Sequence, residues 1–202
     1  PDRFRVSIAC LFDQAPGSLT PELRARGIDV YHLGKHPGLD TRMFPRLARV
    51  VARVRPDVIH THNYVLRYTL PVSLLARVPA LVHTIHNVAE REVDRLGVML
   101  QSWAFRGRVT PVAIAGRVAD SYQRVYGQPR PETIFNGIDL ERFLNADGST
   151  WRERNGFTSG QTLIACVARF YPQKNHQTLI DAFARIAVAH QNAHLLLAGD
   201  GD

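Results

Sequence analysis

Residues 162–202, TLIACVARFYPQKNHQTLIDAFARIAVAHQNAHLLLAGDGD, decide the fold class. Thr162–Val167 reads as a buried strand, Asn175–Ala189 has the period of an amphipathic helix, and His194–Ala198 is a second buried strand. Apolar strands joined through a helix indicate a parallel βαβ unit. The loop inside it holds Arg169 and Lys174, and the chain's only other lysine is Lys35. A forked cation and a point-charge cation thus stand at the open end of a strand and the start of a helix. Helix N-terminal amides favour anions there, and the two side chains together suit a diphosphate. Taken alone, the pair also reads as two solvated cations on a loop.

Working outward, the same rhythm runs through the chain. Strands are expected at Arg5–Phe12, Ile28–Leu33, Asp57–Thr61, Ala80–Ile85, Pro111–Ala115 and Glu132–Phe135. Helical periods lie between them, near Leu19–Arg26, Thr41–Arg53, Val65–Arg77, Val88–Arg106 and Arg117–Tyr126. Gly27 marks the stop of the first helix and Pro56 the stop of the second. The polar stretch Asn145–Ser149 interrupts the alternation, and Thr150–Glu153 restarts a helix with a capping-box pattern. The fold class expected is α/β with parallel, doubly wound sheets in two domains. Residues 1–130 form the first domain, and residues 131–202 form a linker and the opening of the second. Neither end reads as a domain boundary, so a fragment of a longer protein is expected.

The composition is that of a soluble globular protein, with 45% hydrophobic and 21% charged residues. No apolar run is long enough to cross a bilayer, and no signal-peptide pattern opens the chain. Cys10 and Cys166 lie in separate strand-like segments and read as reduced core residues, which fits a cytoplasmic protein. A net charge of +7 points to an anionic partner without choosing among nucleotide, nucleic acid and acidic membrane. In the segment Arg91–Arg108, Leu96, Val98, Met99, Leu100, Trp103 and Phe105 lie among Arg91, Arg95, Arg106 and Arg108, a pattern that can lie on an anionic bilayer but more often marks a helix packed on the sheet with a charged outer face. No nucleic-acid-binding motif accompanies the charge, so nucleic acid is not expected as a partner.

Two strands end in polar residues at the carboxyl edge of the sheet, where open α/β folds bind ligands: Asp57–Asn63 (DVIHTHN) and Leu81–Asn87 (LVHTIHN). His60 and His62 share one strand face, while His83 and His86 point to opposite faces. No Cys or carboxylate completes a zinc spacing, so no metal is expected. His60, His62 and His83 read as structural histidines. His86, between a strand end and the N-cap pattern Asn87–Glu90, is the functional candidate. Asn136-Gly137 reads as a turn of left-handed geometry, with Asp139 placed to cap the short helical turn beyond it. Gly199-Asp200-Gly201 at the last strand end is a candidate phosphate loop.

The ordered set PDVIHTH, VHTIHN, IFNGIDLERF, VARFYPQKNH and LLLAGDGD resembles the retaining glycosyltransferases of family four, which have the GT-B fold. That resemblance implies two Rossmann-like domains, here with the first strand of the first domain missing and the second domain only begun. It implies sugar transfer from a UDP- or GDP-linked donor to a hydroxyl acceptor, a glycan or lipid-linked saccharide, with retention of configuration. It assigns Arg169 and Lys174 to the donor diphosphate, His86 to the donor sugar, and Asn136, Gly137, Gly199 and Gly201 to the donor site. No metal or other cofactor is implied, and the place of work is the cytoplasm, at times peripheral on the inner membrane surface. The chain departs from the family in four places. The family's glycine-rich loop after the first strand and its E-x7-E element are absent, Ala115 stands for a frequent serine, and Ala168 for a frequent glycine. The piece alone is therefore expected to be inactive.

A dinucleotide-dependent oxidoreductase would need a G-x-G-x-x-G turn, which the chain lacks. A P-loop lysine motif and a G-x-S-x-G elbow are also missing, which removes simple NTPase and hydrolase readings. The alternative from another class is a basic α/β module that binds an anionic membrane or nucleic acid without catalysis.

Overall fold

A computed structural model describes residues 4–144 and 147–201. The chain divides into two compact units, Pro1–Gly137 and Ile138–Asp202. Asn145 and Ala146, part of the interrupting stretch, lie outside the described residues.

The first unit alternates strand and helix throughout. Its elements are β1 (Ser7–Cys10), α1 (Thr20–Ala25), β2 (Asp29–His32), α2 (Met43–Val54), β3 (Val58–His62), α3 (Leu66–Leu75), β4 (Ala80–Ile85), α4 (Arg95–Ala104), β5 (Thr110–Ala113), α5 (Gly116–Tyr126) and β6 (Glu132–Thr133). Every strand pair is parallel. β1 pairs with β2, and the second sheet runs β3-β4-β5-β6. α1 ends where Gly27 adopts φ 77°, which lets the Ile28 amide donate to the Leu23 carbonyl. α2 is amphipathic because Met43, Leu47 and Val51, four residues apart, all face inward, and it ends at left-handed Arg55 before Pro56.

Two apolar clusters hold this unit together. One gathers Leu66, Leu81, Ile85, Phe105, Tyr122 and Tyr126 between β4, β5 and their helices. In it Phe105 meets Tyr122 and Tyr126 with ring centroids 5.2 and 5.1 Å apart. The other packs α2 and α3 over Leu11 and Leu33. Between the facing edges of β1 and β3 lies a cavity of about 510 Å³, bordered by Ser7–Phe12, Val58–Val65 and the α2 side chains Leu47, Val50 and Val51. No described strand pairs with either of those edges.

One long helix was expected over Val88–Arg106, and the structure corrects this. A 3-10 turn at Ala89–Arg91 comes first, and α4 begins only after Asp94, whose carboxylate accepts the Gly97 amide at 2.7 Å. The Asn87–Glu90 cap pattern is not made either. Glu92 accepts the Asn87 amide at 3.0 Å, while Glu90 pairs with Arg124 at 3.1 Å.

In the second unit α6 (Glu141–Leu144) and α7 (Ser149–Arg154) precede β7 (Thr162–Val167), α8 (His176–Ala189) and β8 (Ala193–Ala198). β7 and β8 form a two-stranded parallel sheet from Thr162↔Ala193 to Val167↔Ala198, which is the expected βαβ unit. Trp151 stacks on Phe157 at 5.9 Å, and Phe157 meets His194 edge-on at 5.3 Å. The capping box at Thr150 is not formed. Asp147 accepts both the Ser149 amide and its hydroxyl, at 2.9 and 2.6 Å, so the helix begins one residue earlier.

Candidate functional site

Residues singled out in the sequence fall in both units. In the first, parallel register aligns His62 with Thr84, so that His86, two residues further on, comes beside His62. The His62 Nδ1 and His86 Nε2 atoms lie 2.8 Å apart, a hydrogen bond between two imidazoles. One ring donates and the other accepts, so at least one must be uncharged for the bond to exist. The His60 ring lies 4.5 Å from that of His62, tilted by 35°, and bonds Thr84 Oγ1 through Nε2 at 2.7 Å. Burial, then the neighbouring imidazoles His60 and His86, hold His62 below the usual histidine range. Burial followed by His86 does the same to His60.

His83 sits beneath this cluster with no exposed surface. Its Nδ1 meets Thr61 Oγ1 at 2.8 Å, and its Nε2 approaches Gln101 Nε2 at 3.4 Å. Gln101 Oε1 in turn accepts the Tyr126 hydroxyl. Desolvation, helped by the three other imidazoles, pulls His83 down to about 3. It is therefore a neutral, structural histidine, as its place on the opposite face of β4 implies. Burial pushes Tyr122 up to about 12, and raises Tyr126 as well.

The strand parity of His60 and His62 is visible in the sequence, but the meeting of His62 with His86 is not. It arises from the β3–β4 register, and the signal was the repeated strand ending, HTHN above TIHN. With Nε2 of His86 bonded to His62, Nδ1 is the ring atom of His86 left for another partner among the described residues.

In the second unit, the loop from Ala168 to Asn175 carries Arg169 and Lys174. Both side chains are exposed, and neither makes a hydrogen bond or ion pair within the described residues. The backbone that bears them is nevertheless well held. Ala168 and Phe170 donate to the carbonyls of Ala198 and Asp200, Tyr171 to that of Arg169, and Lys174 to that of Tyr171. Asn175 at φ 51° then turns the chain into α8. Gly199 and Gly201 lie against this loop so tightly that a Cβ on Gly199 would stand 2.1 Å from the Ala168 carbonyl oxygen. One on Gly201 would stand 2.4 Å from that of Phe170. These glycines are needed for close backbone approach, and neither has a positive φ. Two cations on a backbone with this support present donors suited to phosphate oxygens.

Asn136 and Gly137 depart from the expected turn. Neither has a positive φ, and nothing lies within 4 Å of a Cβ built on Gly137. The segment after β6 is exposed and irregular, and the chain turns only at Leu140, whose carbonyl accepts the Phe143 and Leu144 amides. Among the described residues no three His, Cys, Asp or Glu side chains are gathered in a way that could hold a metal ion.

Comparison with known proteins places this arrangement. A GDP-mannose-dependent monoacylated alpha-(1-6)-phosphatidylinositol monomannoside mannosyltransferase of Corynebacterium glutamicum is 37% identical over 76 residues, 36% of this chain and 20% of that protein. An Escherichia coli UDP-Gal:alpha-D-GlcNAc-diphosphoundecaprenol alpha-1,3-galactosyltransferase is 26% identical over the whole chain, 55% of its own length. The chain thus spans about half or less of the curated relatives it matches. Among solved structures, Anabaena HepE in complex with UDP superposes with a TM-score of 0.76 at 17% identity, over 98% of this chain and 61% of that one. The α/β architecture is that of GT-B proteins. The profile described as Glycosyl transferases group 1 matches residues 147–202. Since the profile described as Glycosyltransferase Family 4 matches residues 2–142, most of its length, the chain belongs to Glycosyltransferase Family 4.

Proposed function

We propose that the protein to which this chain belongs transfers a sugar from a UDP- or GDP-linked donor to a hydroxyl acceptor, a glycan or lipid-linked saccharide, with retention of configuration. The observation that carries this reading is the loop 168–175. Its two cations have no protein partner among the described residues, although its backbone is pinned by β8 and by two glycines with no room for a side chain. Cations held ready in this way suit an anionic ligand better than an internal ion pair. In the proposed reaction Arg169 and Lys174 contact the donor diphosphate and stabilise the charge that builds on it as the sugar leaves, a role that calls for no metal. Gly199 and Gly201 keep the loop in place beneath the nucleotide, and Asn136 and Gly137 remain donor-site candidates. His86, fixed through Nε2 by His62, is assigned to the donor sugar through Nδ1.

Support for nucleotide-sugar chemistry comes from relatives whose names specify GDP-mannose and UDP-Gal, and from the UDP complex of a structural neighbour. The test is turnover of the complete enzyme with Arg169→Ala and Lys174→Ala. Each should lower kcat by about a hundredfold or more, as expected for loss of one donor to a developing charge, with circular dichroism unchanged. Wild-type turnover in both variants would remove these roles. The 202-residue chain by itself is expected to show no transfer.

A further inference from the structure

The imidazoles on β3, on β4 and just past β4 make two kinds of hydrogen bond. Around His83 every partner has a fixed polarity. Gln101 uses its carbonyl oxygen to accept the Tyr126 hydroxyl, so its NH2 group donates to His83 Nε2 at 3.4 Å. The neutral ring then carries its proton on Nδ1 and donates it to Thr61 Oγ1 at 2.8 Å, and the Thr61 hydroxyl donates in turn to the Val82 carbonyl at 3.1 Å. The His62–His86 bond has no such neighbour. His62 Nδ1 and His86 Nε2 satisfy each other at 2.8 Å, while His62 Nε2 and His86 Nδ1 have no partner among the described residues. The direction of this bond is therefore decided by the two rings themselves.

Two arrangements are open to the neutral pair. In one, His86 Nε2–H donates to a bare His62 Nδ1, and both rings carry their proton on Nε2. In the other, His62 Nδ1–H donates to a bare His86 Nε2, and both rings carry it on Nδ1. Nε2 is the more basic nitrogen of a histidine because it lies further from the electron-withdrawing backbone amides, so a neutral ring under no other constraint keeps its proton there. The first arrangement suits both rings and the second suits neither. We infer that His62 is a positioning residue that holds His86 as the Nε2–H tautomer, leaving a lone pair on Nδ1 to accept a hydrogen bond from a hydroxyl group of the bound sugar. The ligand in this inference rests on the sugar-transfer reading, whereas the tautomer rests on the β3–β4 register that brings the rings together. A bare nitrogen accepts from a hydroxyl and repels an ionised phosphate oxygen, which has no hydrogen to give. His86 so held recognises the sugar and not the diphosphate.

The test reads the imidazole nitrogen resonances of the isotope-labelled chain at about pH 8, above the ordinary histidine range. The His86 signals, identified by their loss in His86→Gln, should show Nε2 as a protonated nitrogen and Nδ1 as a bare one, the reverse of the pattern at His83. In His62→Ala the two His86 shifts should draw together as both tautomers become populated. His62→Asn, whose Oδ1 can accept at the place of Nδ1, should keep them apart. His62 is exposed, so circular dichroism should not change in either variant. In the complete enzyme His62→Ala should lower kcat by about tenfold, the loss of one hydrogen bond, and His62→Asn by about threefold or less. Added to His86→Ala, His62→Ala should cost nothing further, because it acts only through that ring. A proton found on His86 Nδ1, His86 shifts indifferent to His62→Ala, or additive losses in the double variant would each overturn the inference. The expected tautomer in an enzyme that transfers no sugar would uphold the positioning of His86 and refute the transfer reading by itself.

Discussion

The two units have the same strand–helix grammar and very different interiors. All buried hydrophobic side chains among the described residues lie between Leu11 and Tyr126, in the first unit. In the second, α8 buries no residue, and Val167 at the end of β7 is 83% exposed. Parallel strands need helices on both faces and neighbours on both edges, and a four-stranded sheet with three crossover helices supplies enough of these to close a core. A two-stranded sheet with one crossover helix does not. Among the described residues, the βαβ unit that decides the fold class therefore buries the least apolar surface. The site residues divide along the same line: the imidazoles stand on a closed core, and the paired cations on an open one.

Acid should break the first unit by the largest margin. His83 has a folded value of about 3 against an ordinary 6.5, so the unfolded chain binds more protons between those values and stability falls as pH falls. The contribution is fully present above about pH 6.5 and is lost on the way down to about pH 3, on the order of 5 kcal/mol in all. Denaturant midpoints followed through the tyrosine signal should therefore fall steeply over that window. A flat profile would mean that His83 is not desolvated.

The next contrast is between two phenylalanines. Phe105→Ala, in the aromatic cluster of the first unit, should cost about 3–5 kcal/mol. Phe157→Ala, which loses its stacking on Trp151 and its edge contact with His194 at the margin of the second, should cost about 1 kcal/mol. Equal costs in denaturant unfolding would show that the second unit has a core as well formed as the first.

Glycine substitutions give the smallest and most local effects. Gly199→Ala puts a methyl group into the Ala168 carbonyl and should cost about 1–3 kcal/mol as β7 and β8 move apart. The amide resonances of Phe170 and Lys174 should shift with it. Gly137→Ala meets nothing and should change stability by less than about 0.5 kcal/mol. If Gly199→Ala leaves those resonances in place, the support assigned to the cationic loop is wrong.

The α/β class, the alternation and the order of the motifs were legible in the residues, because strand burial and helix period are properties of neighbouring positions. Most helix ends were legible too, where Gly27 or Pro56 forces them. Local competition for backbone donors was not: Glu92 displaced Glu90 at the Asn87 amide, and Asp147 took the Ser149 amide and hydroxyl just ahead of the expected Thr150 cap. The Asn136-Gly137 turn failed for a related reason, since permission to adopt positive φ is no obligation to do so.

By itself the sequence determined which residue types arrive at the carboxyl ends of the strands. Only the tertiary structure decided which of them touch. His62 meets His86 through a register between strands 22 residues apart, and Gly199 presses on Ala168 because β8 lies beside β7. Leu96, Met99 and Trp103 stay in the open because the packing of α4 turns Gly97 and Ala104 inward instead. In each case the outcome depends on how distant segments align, and local propensity has no information about that alignment.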